Sequence, residues 1–364
     1  MTNHYEQRLE QDLGRIRAAI EEISERVGKA LEDALHSILV GDKALASATI
    51  LGDLPINRRV RALDRLCHGF VAQHLPSAGH LRFVSSVLRL NIALERIGDY
   101  AVTLGREQVQ LSAPLPDTVH RDIELLGEQA TAMFKQSMVA FQENNAQLAR
   151  GTRAMGEQVE STFQRVFQDL LRAGDERTRP IQDLFAALVI VNRIGRVADQ
   201  AKNICEEAIF AATGETKEPK VYRVLFIDER NDSLSQMAAL YARRAFPESG
   251  HYKSAGWSPA DKLETRFELF MRDRGFDLDE VAPTDLATLR DEVDDTHVVV
   301  SVGGDAWEHF PELPFHTTLV HWDVAADPGA LDQERAEAAL EEAFRDLGAK
   351  VGDLMRTLRG QGAS

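Results

Sequence analysis

The sequence predicts a multidomain chain: an N-terminal all-α region of two three-helix bundles in tandem, then a C-terminal α/β domain with a parallel sheet in three layers. Three observations carry that expectation. Apolar residues recur at spacings of three and four from Leu9 to Phe210, as an amphipathic helix requires. The period stops in the polar stretch Gly214-Glu215-Thr216-Lys217-Glu218-Pro219-Lys220. Beyond it, short apolar runs alternate with amphipathic stretches, the pattern of strands and crossover helices. A chain of 364 residues also exceeds what one core organises. The expected divisions are 1–215, a linker at 216–220, and 221–364.

The first helix follows from Leu13, Ile16, Ile20, Ile23, Val27, Leu31, Leu35, Ile38 and Leu39 on one face. Breaks then fall at Gly41-Asp42, His74 to Ser77, Ala113 to Pro116, Glu143 to Asn145, and Gly174 to Pro180. They leave six helices, three on each side of Pro114-Leu115-Pro116. Short connections between long apolar faces imply antiparallel bundles. Leu94-Glu95-Arg96-Ile97-Gly98-Asp99 near the end of the first half is echoed by Ile194-Gly195-Arg196-Val197-Ala198-Asp199 in the second, the mark of an internal duplication. In the C-terminal part, strands are predicted at 221–227, 297–302 and 317–322, with helices at 235–246, 262–274 and 332–359.

Charge narrows the partners. With 42 Lys and Arg against 58 Asp and Glu, the formal net charge is -16, which excludes a nucleic-acid binder and favours cations or basic partners. Cys67 and Cys205 have no paired spacing, so neither a disulfide framework nor a thiolate metal site is expected, and a reducing, cytoplasmic setting follows. The opening Met1-Thr2-Asn3-His4-Tyr5-Glu6 lacks export character. The longest apolar run, Leu184 to Asn192, falls far short of the roughly 20 residues that span a bilayer.

Glu95 and Asp99 stand four apart and leave the same face of one helix. Like charges so placed repel unless a cation compensates, and carboxylate oxygens suit a hard divalent ion or iron. Asp53 and Asn57, also four apart in the second helix, would complete the set across the groove. A solvated polar face is the plain alternative for all four.

The stretches Leu94 to Ala101, Ile204 to Gly214, and His80-Leu81-Arg82-Phe83 resemble the repeats of the PhoU family of phosphate-uptake regulators, over about Tyr5 to Gly214. The resemblance implies two three-helix bundles that act without catalysis, regulating phosphate transport and phosphate-starvation signalling. It implies contacts with the ATPase of a phosphate ABC transporter and with a sensor histidine kinase, homodimer formation, and peripheral docking on a membrane complex. It also implies a metal at Asp53, Asn57, Glu95 and Asp99. The second half departs from the pattern: Gly195 stands where the motif has an acid, and Gly156 replaces another ahead of Glu160. A site missing two carboxylates holds metal poorly. One metal site, in the first bundle, or none is therefore expected.

Val224 to Ala238 reads as strand, loop and helix start, and it resembles the phosphate loop of low-molecular-weight tyrosine phosphatases and arsenate reductases. In those families the loop carries a nucleophilic Cys, an Arg after five further residues, and then Ser. Here Asp228 stands at the Cys position, Leu234 at the Arg position and Ser235 at the Ser position. Ser254-Ala255-Gly256, His321-Trp322 and Asp327-Pro328 fit the same likeness over Tyr222 to about Gly329, while the redox cysteine positions hold Gly303 and Phe310. With Asp228, Glu229 and Asp232 around the loop, an oxyanion would meet like charge. The domain is expected to be catalytically inactive; the alternative is a phosphatase or arsenate-reductase-type enzyme regulated by the helices. His309, His316 and His321 are read as ordinary strand and loop histidines, and Asp291 to Asp295 as a solvated turn.

Overall fold

A computed structural model describes residues 2–115, 117–175, 180–216, 220–289, 293, 296–304, 306–309, 313, 317–324 and 333–360. It divides into two compact units, Met1–Lys217 and Glu218–Ser364.

The first unit is helical throughout. Helix α1 spans Thr2–Val40, α2 Lys43–Leu51, α3 Asp53–Gln73 and α4 Ala78–Gln110; the pattern then repeats as α5 Asp117–Gln142, α6 Ala146–Ala154, α7 Gly156–Asp175 and α8 Ile181–Thr213. Gly41 turns the chain after α1 at φ +73°, and Asn144 does so after α5 at φ 55°. In each case the next residue caps a new helix: Asp42 accepts from the N–H groups of Ala44 and Leu45, and Asn145 from that of Leu148. Each half thus has a short extra helix ahead of its middle helix, a division the apolar period does not register. Only one residue, Gly52 or Met155, separates the short helix from the next, and each keeps αR geometry, so the apolar spacing runs through the break.

One core serves both halves. Ile20, Val27, Leu31, Leu63, Leu94, Ile97, Met133, Val166, Ile194 and Ile204 belong to a single buried cluster. The motif residues Leu94 and Ile97 and their counterparts Ile194 and Val197 are fully buried. The apolar members of the repeated motif are therefore the packing layer, and the acids between them are what faces outward.

In the second unit, β1 (Tyr222–Asp228), α9 (Leu234–Ala245), β2 (Gly250–Gly256), α10 (Thr265–Asp273), β3 (Val298–Val302), β4 (Thr318–Trp322) and α11 (Gln333–Arg359) follow in order. The four strands form a parallel sheet in the order β2-β1-β3-β4. Alternate β1 residues serve opposite faces: Val224 and Phe226 pack with Met237, Phe267 and Leu347, whereas Leu225 and Ile227 pack with Ala255, Leu286 and Val299. Strand β2 is absent from the sequence expectation. Its Gly-His-Tyr-Lys-Ser-Ala-Gly has no apolar run, because an edge strand alternates buried Tyr252 with exposed His251 and Lys253.

Among the described residues, no helix is long and apolar enough to cross a membrane.

Candidate functional site

Two places gather polar chemistry, one in each unit. The first lies where α3 runs beside α4. Gly98 of the motif faces Ile56 of α3, at a distance where a Cβ would make an ordinary contact of 3.7 Å. Asn91 of α4 donates its amide to the Val60 carbonyl at 2.9 Å and to Asp64 at 2.8 Å, stitching the same seam further along. Near the start of α3, Asn57 donates to Asp53 at 2.8 Å. The remaining oxygens, Asp53 Oδ1 and Asn57 Oδ1, are buried without a hydrogen-bond partner. The Asp99 carboxyl on α4 is held above its ordinary range, first by desolvation and then by the charge of Asp53, with Arg106 acting the other way. A hydrogen bond joins Asp53 to Asn57, and the charge of Asp53 is felt at Asp99. Glu95 lies one turn before Asp99 on α4 and is half-buried.

Whether these residues suit a cation is decided by the two unpartnered oxygens. A buried acceptor with no donor costs free energy, and a hard cation would satisfy both oxygens at once. No group of three or more His, Cys, Asp or Glu able to hold a metal forms among the described residues. Any ion here would depend on the Asn57 amide oxygen and on water as well as on carboxylates. Asn91 stands four residues before Glu95 on α4 and Asp64 seven after Asn57 on α3, the helical spacing that puts each on the same flank as the acid seam. In the second half, Asp199 accepts from Arg196 at 3.3 Å.

The second place is the β1–α9 loop. Asp228 ends β1, is 8% exposed, and accepts from the backbone N–H of Asn231 at 2.5 Å and of Ser235 at 2.8 Å. Its own carboxylate therefore sits on one N–H of the loop and one at the start of α9. Asn231 is buried at φ 50° and its side-chain amide donates to the Ser235 hydroxyl at 2.8 Å, while its Oδ1 accepts from the Gln236 amide at 3.0 Å and from the Thr284 N–H at 2.8 Å. Leu234 turns inward to the core, 6% exposed. Arg230 pairs with Asp232 at 2.8 Å. Gly256 of β2 lies against the loop: a Cβ would fall 2.8 Å from the Glu229 carbonyl and 3.0 Å from the Asn231 nitrogen.

Burial pushes the Asp228 carboxyl above its ordinary range, opposed by the N–H donors of Ser235 and Asn231. The folded state then keeps its proton to higher pH than the unfolded chain does. Stability contributed here falls as pH rises from the usual carboxylate range, about 3.9, toward the folded value. In melts of the full chain across that window, wild type minus Asp228→Ala should retain this slope. Parallel profiles would show that Asp228 is ionised alike in both states.

Other candidates separate. His309 stacks on Trp257 with ring centroids 4.5 Å apart, whereas His321 is an exposed residue of β4. Trp322 packs against Phe226. Gly303 adopts φ +74°, so it serves a turn. Phe310, His316, Asp327-Pro328 and the acids of Asp291 to Asp295 lie outside the described residues. Both cysteines are buried, and desolvation pushes each thiol to about 12, which keeps them un-ionised at neutral pH.

The family model described as the PhoU domain matches residues 20–107 and 123–208, one match in each half. A phosphate-specific transport system accessory protein PhoU homolog from Pseudomonas putida is 26% identical over 215 residues, covering 59% of this chain and 84% of that protein. The crystal structure of PhoU from Pseudomonas aeruginosa, 26% identical, superposes with a TM-score of 0.55 over 57% of this chain and 99% of its own. A thioredoxin-dependent arsenate reductase from Corynebacterium glutamicum overlaps 43% of this chain and 75% of its own at 20% identity, with a TM-score of 0.32. With the family matched in each half and the duplicated motif at the core of both, the first unit of this chain is a tandem pair of PhoU domains.

Proposed function

We propose that this chain regulates phosphate transport and phosphate-starvation signalling through protein contacts of its helical unit, in the cytoplasm. The observation that carries this reading is the PhoU domain in each half, joined to relatives named as accessory proteins of a phosphate-specific transport system. The partners are the ATPase of a phosphate ABC transporter and a sensor histidine kinase, and the chain acts as a homodimer docked peripherally on the membrane complex. A divalent ion or iron at Asp53, Asn57, Asp99 and Glu95 would tie α3 to α4 and neutralise the facing carboxylates. Its role would be electrostatic and structural.

The second unit is proposed to be catalytically inactive. Asp228 spends both carboxylate oxygens on backbone N–H groups, and Leu234 offers no guanidinium to clamp an anion. Purified full chain should turn over neither an aryl phosphate nor arsenate with thioredoxin; activity that disappears in Asp228→Ala would overturn this part. For the regulatory reading, phosphate uptake and starvation-gene expression should be disturbed in cells lacking the chain and restored by wild type. Uptake and expression indistinguishable from the parent strain would reject it.

A further inference from the structure

The two halves of the helical unit treat the same position in opposite ways. In the first half, Asp53 begins α3 and its charge acts on Asp99 of α4. In the second, Gly156 begins α7 and Asp199 lies at the repeated position of α8. The space that a side chain at 156 would fill is taken: a Cβ there would lie 2.0 Å from Lys202 Cε and 2.9 Å from its Nζ. The same ammonium reaches Asp199 at 3.7 Å, and Arg196 bonds the other oxygen of that carboxylate at 3.3 Å.

We propose that Lys202, laid across Gly156 onto Asp199, is the built-in counter-ion of the second half and takes the place a metal ion would hold in the first. The physical reason is charge balance. Two facing carboxylates, as at Asp53 and Asp99, leave negative charge for a cation to neutralise. One carboxylate facing an ammonium and a guanidinium leaves none, and an added divalent ion would meet repulsion. Glycine at 156 performs two tasks together: it deletes the second acid, and it clears the volume through which the lysine stem passes. A lysine at 202 without that glycine would have to swing away, since its Cε and a Cβ cannot share 2.0 Å. The duplicated unit is therefore asymmetric, with one half open to a dissolved cation and the other permanently neutralised by its own side chain. A change in metal supply would act directly at α3 and α4, with no ion bound between α7 and α8.

This inference rests on the metal reading of the first half, and the experiment keeps the two apart. Full chain is stripped with chelator, dialysed against micromolar Mn2+, and its bound metal counted for wild type, Asp53→Ala/Asp99→Ala, Asp199→Ala, and Gly156→Asp/Lys202→Ala. Aspartate at 156 stands in the first turn of α7, where a negative charge suits the helix N-terminus. Expected values are one equivalent for wild type, none for Asp53→Ala/Asp99→Ala, one for Asp199→Ala, and two for Gly156→Asp/Lys202→Ala. If wild type binds none while Gly156→Asp/Lys202→Ala gains one, the first-half site fails and the lysine counter-ion stands. A wild-type equivalent lost in Asp199→Ala would overturn the proposal whatever the other variants do, as would Gly156→Asp/Lys202→Ala that melts like wild type yet gains no metal.

Discussion

Asn231→Ala is expected to lower the stability of the second unit by about 4 kcal/mol, from lost hydrogen bonds at about 1 kcal/mol each and a non-glycine residue left in the left-handed region. Three contacts vanish at once: the donation to Ser235 and the acceptances from Gln236 and the Thr284 N–H. None of these sites is refilled by water without cost, since Asn231 is fully buried. Asparagine also tolerates φ 50° better than alanine does, because its short amide bonds locally. Urea titration followed by Trp fluorescence, all three tryptophans lying in this unit, reads the effect directly. A loss below about 1 kcal/mol, the worth of a single such bond, would mean that the loop is not organised by this side chain.

Leu94→Ala should cost the helical unit about 3 kcal/mol, the usual combination of lost transfer free energy and a cavity that the neighbours fill only partly. Leu94 is fully buried in the core shared by both halves. The adjacent Glu95 is half-buried, and Glu95→Ala should change stability by less than about 0.5 kcal/mol, as surface substitutions do. Helical circular dichroism against urea separates the two. Equal losses would contradict the division of the motif into packing residues and outward acids.

Much of this architecture was legible in the residues because its causes are local and periodic. The α1 stripe from Leu13 to Leu39 is a single repeated spacing, and Val298 to Val302 has the continuous apolar run of a strand buried on both faces. Strand β2 escaped because an edge position asks only for alternation, and the short α2 and α6 escaped because a one-residue break leaves the apolar phase intact. Of the proposed metal residues, the four-residue spacing accounts for the Asp53–Asn57 pair within α3, whereas the influence of Asp53 on Asp99 crosses between helices and no spacing encodes it. The acid at 228 and the apolar side chain at 234 are plain in the residues. That Asp228 would turn back onto the loop's own N–H groups is not, because hydrogen bonding across seven residues depends on the turn at Asn231. Lys202 was hidden for a similar reason: its path over Gly156 joins residues 46 apart in sequence.

Helix α4 borders both α3 and α8, carrying the acid seam on one flank and the join between the halves on the other. On the second flank, Arg89 reaches Glu207 at 2.5 Å, and Arg193 lies over the Tyr100 ring. A beam clamped along both sides cannot slide on one without dragging the other, since close-packed interiors yield little. Anything that tightens or loosens α4 against α3 would accordingly be felt at Glu207 and Arg193, giving the duplicated unit a mechanical route by which an event in one half reaches the other.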